Sequence, residues 1–420
     1  MNSPILDGQK LYRFDNGLRL LVDPMPGLKT FALTALIYGG ARFETAEQSG
    51  WAHLLEHMVF KGAGGRNAQE LAEAIEHKGG SINASTGYEH TRFEVRGLNS
   101  LLPLAMEIVT DLMFRPVLDG AELTREKKVV EQEIHEAFDT PDDHVFDLLQ
   151  SAMFPDQAIG RPILGSKQSL KPARPDTLRA FAETLYAPHQ IVICVSGGVD
   201  PAEVYGVAKP LIDSVRTHAG FGAPAPLRFA ANHAVHKRKI EQANVTLGFK
   251  AIGRLDPDII PLRLFSEILG GGMASRLFQE AREARGLAYA IDAFTTPYRD
   301  GGVFGIYAGC APKDVDPLVQ LVQRVLGELS SSPQVAELER AKAQFMTSLF
   351  LNHEGAASRA GTFASQLSTH GKVFTLDEVA AEINHVSLDD LVRVGSGIAA
   401  QKTCASALLG PRSMGDLLAA

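Results

Sequence analysis

The sequence predicts an α+β protein of two structurally similar α/β-sandwich domains related by internal duplication. Three observations carry that expectation. A strand-then-helix pattern occurs once in each half of the 420 residues, FALTALIYGGARFE leading into GWAHLLEHMVFKG and NVTLGFKAIGRLDP leading into IIPLRLFSEILGGG. Each half then carries its own block of amphipathic helices. Between the halves lies one stretch rich in Gly, Ala and Pro and poor in periodicity, THAGFGAPAPLRFAANHA. Length agrees, because one hydrophobic core seldom organises so long a chain and two domains of about 200 residues are the natural division.

Taken in order, FALTALIY alternates with the two-residue period of a strand, and the helix after it contains His53, Glu56 and His57. AEAIEHKGGSINAST is expected to form a helix, a glycine break and a strand, and QEAREARGLAYAIDA to repeat that order. Amphipathic helices are expected over Leu101–Phe114 and Glu122–Phe138, and again over Pro317–Leu329 and Val335–Phe350. The expected division is an N-terminal domain at 1–216 that carries the His53/His57 helix, a linker at 217–228, and a C-terminal homologous domain at 229–420 that carries Arg282 and Tyr289. Aligning Thr34 with Thr246 sets His53 opposite Phe265 and His57 opposite Leu269, so only the first half carries the histidine pair.

Composition narrows the function. With 45% hydrophobic and 21% charged residues, the chain belongs among ordinary globular proteins. A formal charge of -8 and the lack of a dense basic stripe argue against nucleic acid as a partner. No segment approaches the roughly 18 uninterrupted apolar residues of a membrane span. The opening MNSPILDGQKLYRF lacks a basic region followed by an apolar one, so a bacterial cytoplasmic location is expected. Cys194, Cys310 and Cys404 are odd in number and far apart, which suggests neither disulfides nor a thiolate metal site.

The chemistry lies in His53-Leu54-Leu55-Glu56-His57. On a helix, residues four apart share a face, so both imidazoles can reach one ion with Glu56 beside it. This is the HxxEH order of a zinc-hydrolase class. Two imidazoles under-coordinate zinc; a third protein ligand is required, leaving a fourth position for water. Glu133 qualifies, because in TREKKVVEQEIHEAF it falls amid an apolar stripe of Val129, Val130, Ile134 and Ala137. An ionised carboxylate there needs a partner, and a metal supplies one. Glu126, two turns earlier on the same side, is placed to orient a ligand. The alternative is that Glu126 and Glu133 pair with Lys or Arg of a neighbouring helix. Glu131, Gln132 and His135 form a solvated face, and His77 and His90 are expected on the surface.

HLLEHMVFKG, followed 76 positions after His57 by Glu133 in EKKVVEQEI, resembles the pitrilysin/insulinase metallopeptidases, the inverzincins. The similarity is greatest to their shorter bacterial and mitochondrial-processing-peptidase-like branch, and extends through GRPILGS, YAPHQIVICVSGGVD and LGGGMASRLFQEAREARGLAYAI. The resemblance implies a zinc metalloendopeptidase with one zinc per chain on His53, His57 and Glu133, Glu56 as general base, and Glu126 in support. It also implies that Arg282 and Tyr289 act on the substrate carbonyl and its tetrahedral intermediate, against the plainer alternative of a surface ion pair and a packed ring. Asn83 and Ala84, within Ser81–Ser85, would pair with substrate backbone as an added strand, or merely form an ordinary edge. The chain carries both the metal motif and the Arg/Tyr pair, which some relatives divide between subunits. The expectation is therefore a homodimer in which Arg282 and Tyr289 complete the partner's zinc site. The alternatives are a catalytic or core subunit that needs a separate partner chain of the same family, and a non-catalytic scaffold.

Overall fold

The computed structural model describes residues 8–401 and 403–411. They form two compact units, each built on one mixed sheet. The first unit contains residues 8–134, 162–224 and 350–375, and the second 135–161, 225–349 and 376–411 apart from 402.

In the first unit the six-stranded sheet runs in the order Lys10–Arg13, Arg19–Pro24, Ile191–Gly197, Thr30–Tyr38, His90–Leu98, Ser81–Thr86. Arg19–Pro24 and Ile191–Gly197 are parallel, and the other pairs are antiparallel. The central strands Thr30–Tyr38 and Ile191–Gly197 are buried along nearly their whole length. Their near-continuous apolar sequences follow from being covered on both faces. Leu20, Val22, Leu33 and Ile193 face one core together with Leu54 and Leu55 of helix Trp51–Val59, Met106 of Leu102–Phe114 and Phe181 of Pro175–Leu185. Alternate residues of the same strands, Leu21, Ala32, Leu36, Val192 and Cys194, meet Ala360, Phe363, Ala364 and Leu367 of helix Ala356–His370 on the other face. Arg359 of that helix fixes it with two bonds to buried Asp23, at 2.6 and 2.7 Å.

The second sheet repeats this plan: Ala290–Pro297, Gly302–Cys310, Ala243–Ala251, Ala405–Gly410, His233–Lys237. Reversed, this is the order of the last five strands of the first sheet, and its one parallel pair, Ala405–Gly410 with His233–Lys237, falls at the equivalent place. The duplication expected from sequence is therefore a duplication of topology. Phe265 and Leu269, opposite the two histidines, are fully buried core residues.

The expected helices occupy Leu102–Phe114, Gly120–Asp139, Val315–Ser331 and Val335–Glu354. Two expectations need revision. The segment before Tyr289 forms a six-residue π-helical turn, Phe278–Glu283, rather than an α-helix, and it buries only Ala281. The units also do not follow a single boundary. One crossing, at Pro224/Ala225, falls within 217–228, but 135–161 belong to the second unit and 350–375 to the first. Sequence periodicity shows that a helix has an apolar face but not which sheet receives it. Among the described residues no helix is long and apolar enough to cross a membrane, and all three cysteines are buried with no disulfide among them.

Candidate metal centre

The helix Trp51–Val59 is set in place before its histidines matter. Gly50, ahead of it, adopts a left-handed conformation, φ 88°. The buried Glu44 carboxylate accepts hydrogen bonds from Gly50 N at 2.9 Å and Ala52 N at 2.7 Å, satisfying helix-end donors and placing negative charge at the positive end of the dipole. Trp51, Ala52, Leu54, Leu55, Met58 and Val59 face the core. The remaining stripe, His53, Glu56 and His57, is half-buried at the i, i+3, i+4 spacing.

Helix Gly120–Asp139 faces this stripe. Asp119 caps it through bonds from Ala121 N at 2.8 Å and Glu122 N at 2.9 Å. Its buried line is Leu123, Glu126 and Val130, continued by half-buried Glu133. Val129, 38% exposed, drops out of the expected stripe, whereas Val130, Ile134, Ala137 and Glu133 stay on the inward side. Glu131 is half-buried and pairs with Lys167 at 3.0 Å, which corrects its placement on a solvated face; Gln132 and His135 are exposed.

Glu133 Oε2 lies 3.8 Å from His53 Nε2 and 3.5 Å from His57 Nε2. One ligand atom from each of the three residues falls within 4.8 Å of the others. Donors around a tetrahedral zinc, bonded at about 2.0–2.2 Å, stand about 3.3–3.6 Å apart. Among the described residues Glu133 Oε2 has no hydrogen-bond partner although it is buried, a costly state for a carboxylate oxygen that a cation relieves. Burial, reinforced by neighbouring His57, lowers the His53 pKa to about 4, so His53 is neutral near pH 7 with a lone pair available. The residues present therefore fit a metal ion of borderline softness.

Glu126 is buried, and its Oε2 is 3.1 Å from His57 Nδ1. A proton on Nδ1 shared with that carboxylate leaves the Nε2 lone pair facing Glu133. The other oxygen, Oε1, pairs with Lys61 Nζ at 2.9 Å. The lysine partner considered from sequence thus exists, but it belongs to Glu126 and comes from the end of the histidine helix. Glu56 accepts a 2.5 Å hydrogen bond from Thr86 Oγ1. Burial raises the Glu56 pKa, opposed by the Thr86 bond and by His57. Tyr186 is fully buried, its hydroxyl without a hydrogen-bond partner among the described residues; burial and the Glu56 charge push its pKa up. Sequence reasoning missed Lys61, Thr86, Glu44 and Tyr186.

Thr86 ends Ser81–Thr86, the edge strand of the first sheet. Asn83 is exposed and Ala84 half-buried along it, and among the described residues only His90–Leu98 pairs with this strand. His77 is exposed, as expected, but His90 is half-buried with its ring edge-to-face on Tyr38 at 5.6 Å. In the second unit, Arg282 is exposed with its guanidinium 4.8 Å from the centre of the Phe278 ring, and Tyr289 is 62% exposed. Among the described residues Arg282 has no ion-pair partner, and Tyr289 is held by its backbone N–H to Gly309 O at 2.8 Å.

Comparison with known proteins locates this geometry. Residues 26–167 match the family model for the insulinases, peptidase family M16. An uncharacterized zinc protease of Bacillus subtilis, YmxG, is 34% identical over 90% of this chain and 93% of its own. The chain belongs to the M16 insulinase family. A second M16 model, for the inactive domain, matches residues 173–345, in keeping with the apolar Phe265 and Leu269 at the positions equivalent to the histidines. An uncharacterized zinc protease of Streptomyces coelicolor is 31% identical over 94% of this M16 chain and 88% of its own. A protease from Helicobacter pylori, of known crystal structure, shares the M16 fold at a TM-score of 0.90 and 23% identity, covering 96% of this chain and 99% of that one.

Proposed function

We propose that this protein is a zinc-dependent endopeptidase, holding one zinc per chain on His53, His57 and Glu133 and hydrolysing peptides or unfolded polypeptide segments. The observation that carries this is the convergence of two imidazole nitrogens on a buried carboxylate oxygen that has no other partner. The names of the Bacillus and Streptomyces relatives, both zinc proteases, support it. Zinc in such a site supplies Lewis acidity, lowering the proton affinity of water and polarising a carbonyl.

The chain's own residues do the rest. Glu56, one turn along the histidine helix, takes a proton from water and passes it to the departing amine. Its burial makes it a stronger base than a solvated carboxylate, and the Thr86 hydroxyl fixes its orientation. Glu126 holds the His57 tautomer, with Lys61 steadying its second oxygen. The free edge of Ser81–Thr86, with Asn83 and Ala84, accepts substrate backbone as an added strand and ends at the residue that touches Glu56. Arg282 and Tyr289 donate to the developing oxyanion. Their exposure, and the absence of an ion-pair partner for Arg282 among the described residues, support a role toward another molecule, and we assign them to the zinc site of a second copy in a homodimer.

The test is Glu56→Gln combined with metal analysis. The variant is expected to keep one zinc per chain and lose peptide turnover by about 10²–10⁴-fold, whereas His57→Ala loses both metal and turnover. Full activity in Glu56→Gln would overturn the general-base assignment, and zinc-free, chelator-insensitive wild-type activity would overturn the metal.

A further inference from the structure

On the first unit, distinct from the metal centre, a cleft of about 370 Å³ opens between the end of helix Leu102–Phe114, helix Pro175–Leu185 and the residues after helix Pro201–Asp213. Its volume lies in the range of small-molecule sites. Phe114, Leu211 and Val215 contribute apolar lining. Arg115, Arg179, Arg216 and His218 contribute cationic or basic groups, and Glu183 is the one acid. A concentration of guanidinium groups is unexpected on a chain of net charge -8.

The charges differ in how they are used. Arg115 is bound to the buried Asp111 carboxylate, Nε to Oδ1 at 2.6 Å. Among the described residues Arg179 donates to backbone carbonyls, Pro116 O at 3.1 Å and Val117 O at 2.8 Å, and has no ion-pair partner. Those contacts hold the guanidinium rigid and leave its charge uncompensated. Arg216 is exposed and, among the described residues, has no ion-pair partner. One fixed and one free guanidinium beside an apolar wall suit an anionic head on an apolar body.

The geometry points to a binding site in this cleft for a small amphipathic anion, an aromatic or other apolar body bearing one phosphate or carboxylate. A bare inorganic anion leaves the apolar lining unused, and a neutral body leaves the guanidinium charges unanswered. Tyr186 lines the same cleft.

Isothermal titration of the intact zinc-loaded protein with phenyl phosphate, phenylacetate, inorganic phosphate and benzyl alcohol tests this. Saturable binding of at least one aromatic anion, one per chain, is expected, with inorganic phosphate and benzyl alcohol each at least about tenfold weaker. The tighter of the two aromatic anions identifies the head group. Arg179→Gln and Arg216→Gln should each weaken that ligand about tenfold, and Glu183→Gln should strengthen it severalfold. Arg216 makes no contact whose loss would unfold the chain, so its variant keeps the test clean if Arg179→Gln is unstable. Absence of saturable binding by both aromatic anions overturns the site. So does equal binding of benzyl alcohol, or affinity unchanged by Arg216→Gln, which would locate the anion at the zinc instead.

Discussion

Removing the Glu126 carboxylate isolates the contribution of ligand orientation from that of ligation. Glu126 is 5% exposed, touches His57 Nδ1 at 3.1 Å and Lys61 Nζ at 2.9 Å, and is not among the three candidate ligand residues. Its loss frees the imidazole to adopt either tautomer and to turn, so part of the binding free energy goes to restoring one orientation. Partners of this kind typically contribute 10–100-fold in metal affinity, about 1.4–2.8 kcal/mol. Glu126→Ala is expected at the upper end. Glu126→Gln is expected nearer the lower end, because its amide oxygen can still accept from Nδ1 while its NH₂ meets the Lys61 ammonium. Zinc dissociation constants from competition with a chromophoric chelator measure both, and turnover at saturating zinc shows whether the remaining defect is positional. Unchanged zinc affinity in both variants would refute the orientation argument and reduce Glu126 to a structural partner of Lys61.

Other perturbations follow from the same contacts. Burial, reinforced by Asp143, raises the Asp147 pKa from 3.8 to about 6. A carboxyl that holds its proton more tightly when folded stabilises the fold below its unfolded pKa relative to higher pH, and that advantage is lost as pH rises toward 6. Asp147→Asn should therefore stabilise the protein by about 1–2 kcal/mol at pH 7.5 after discounting for partial exposure, and by nothing near pH 3.5; equal denaturation shifts at both pH values would contradict this. Gly50 has φ 88°, and a Cβ there would stand 2.5 Å from Leu164 O. Gly50→Ala should cost about 2–4 kcal/mol and lower zinc occupancy by shifting the histidine helix, measured by thermal melting and metal analysis. Mixing Glu56→Gln chains with Tyr289→Phe chains should restore about a quarter of wild-type activity if dimers exchange randomly, since half are mixed and each mixed dimer has one complete site; no recovery counts against a shared site.

Much of this was legible in the residues themselves. The HxxEH spacing fixes a shared helical face, and a carboxylate on the inward side of Gly120–Asp139 needs a cation. The strand-helix repeat survives as a repeated sheet order because strand alternation and helix periodicity are local properties. Lys61 was not legible: its partner is 65 residues away, and a lysine after an apolar helix is ordinarily a solvated one. Glu44 was hidden for a similar reason, since its carboxylate bonds the backbone amides of residues 50 and 52 across a loop. Val129 was misplaced because adjacent valines offer two phases for one stripe, and only the neighbouring core selects Val130. The π-helical form of Phe278–Glu283 has no periodic signature over so short a span.

Helix Ala356–His370 sheathes one face of a sheet whose strands were all completed more than 150 residues earlier in the chain. A ribosome that has just released residue 224 has therefore delivered a sheet with Leu21, Ala32, Leu36 and Val192 still bare. The N-terminal half is obliged to wait, greasy on one side, until nearly the whole polypeptide has emerged. A gene split at the Gly/Ala/Pro stretch would leave that face of the first product bare unless the second product, which carries Ala356–His370, were made with it.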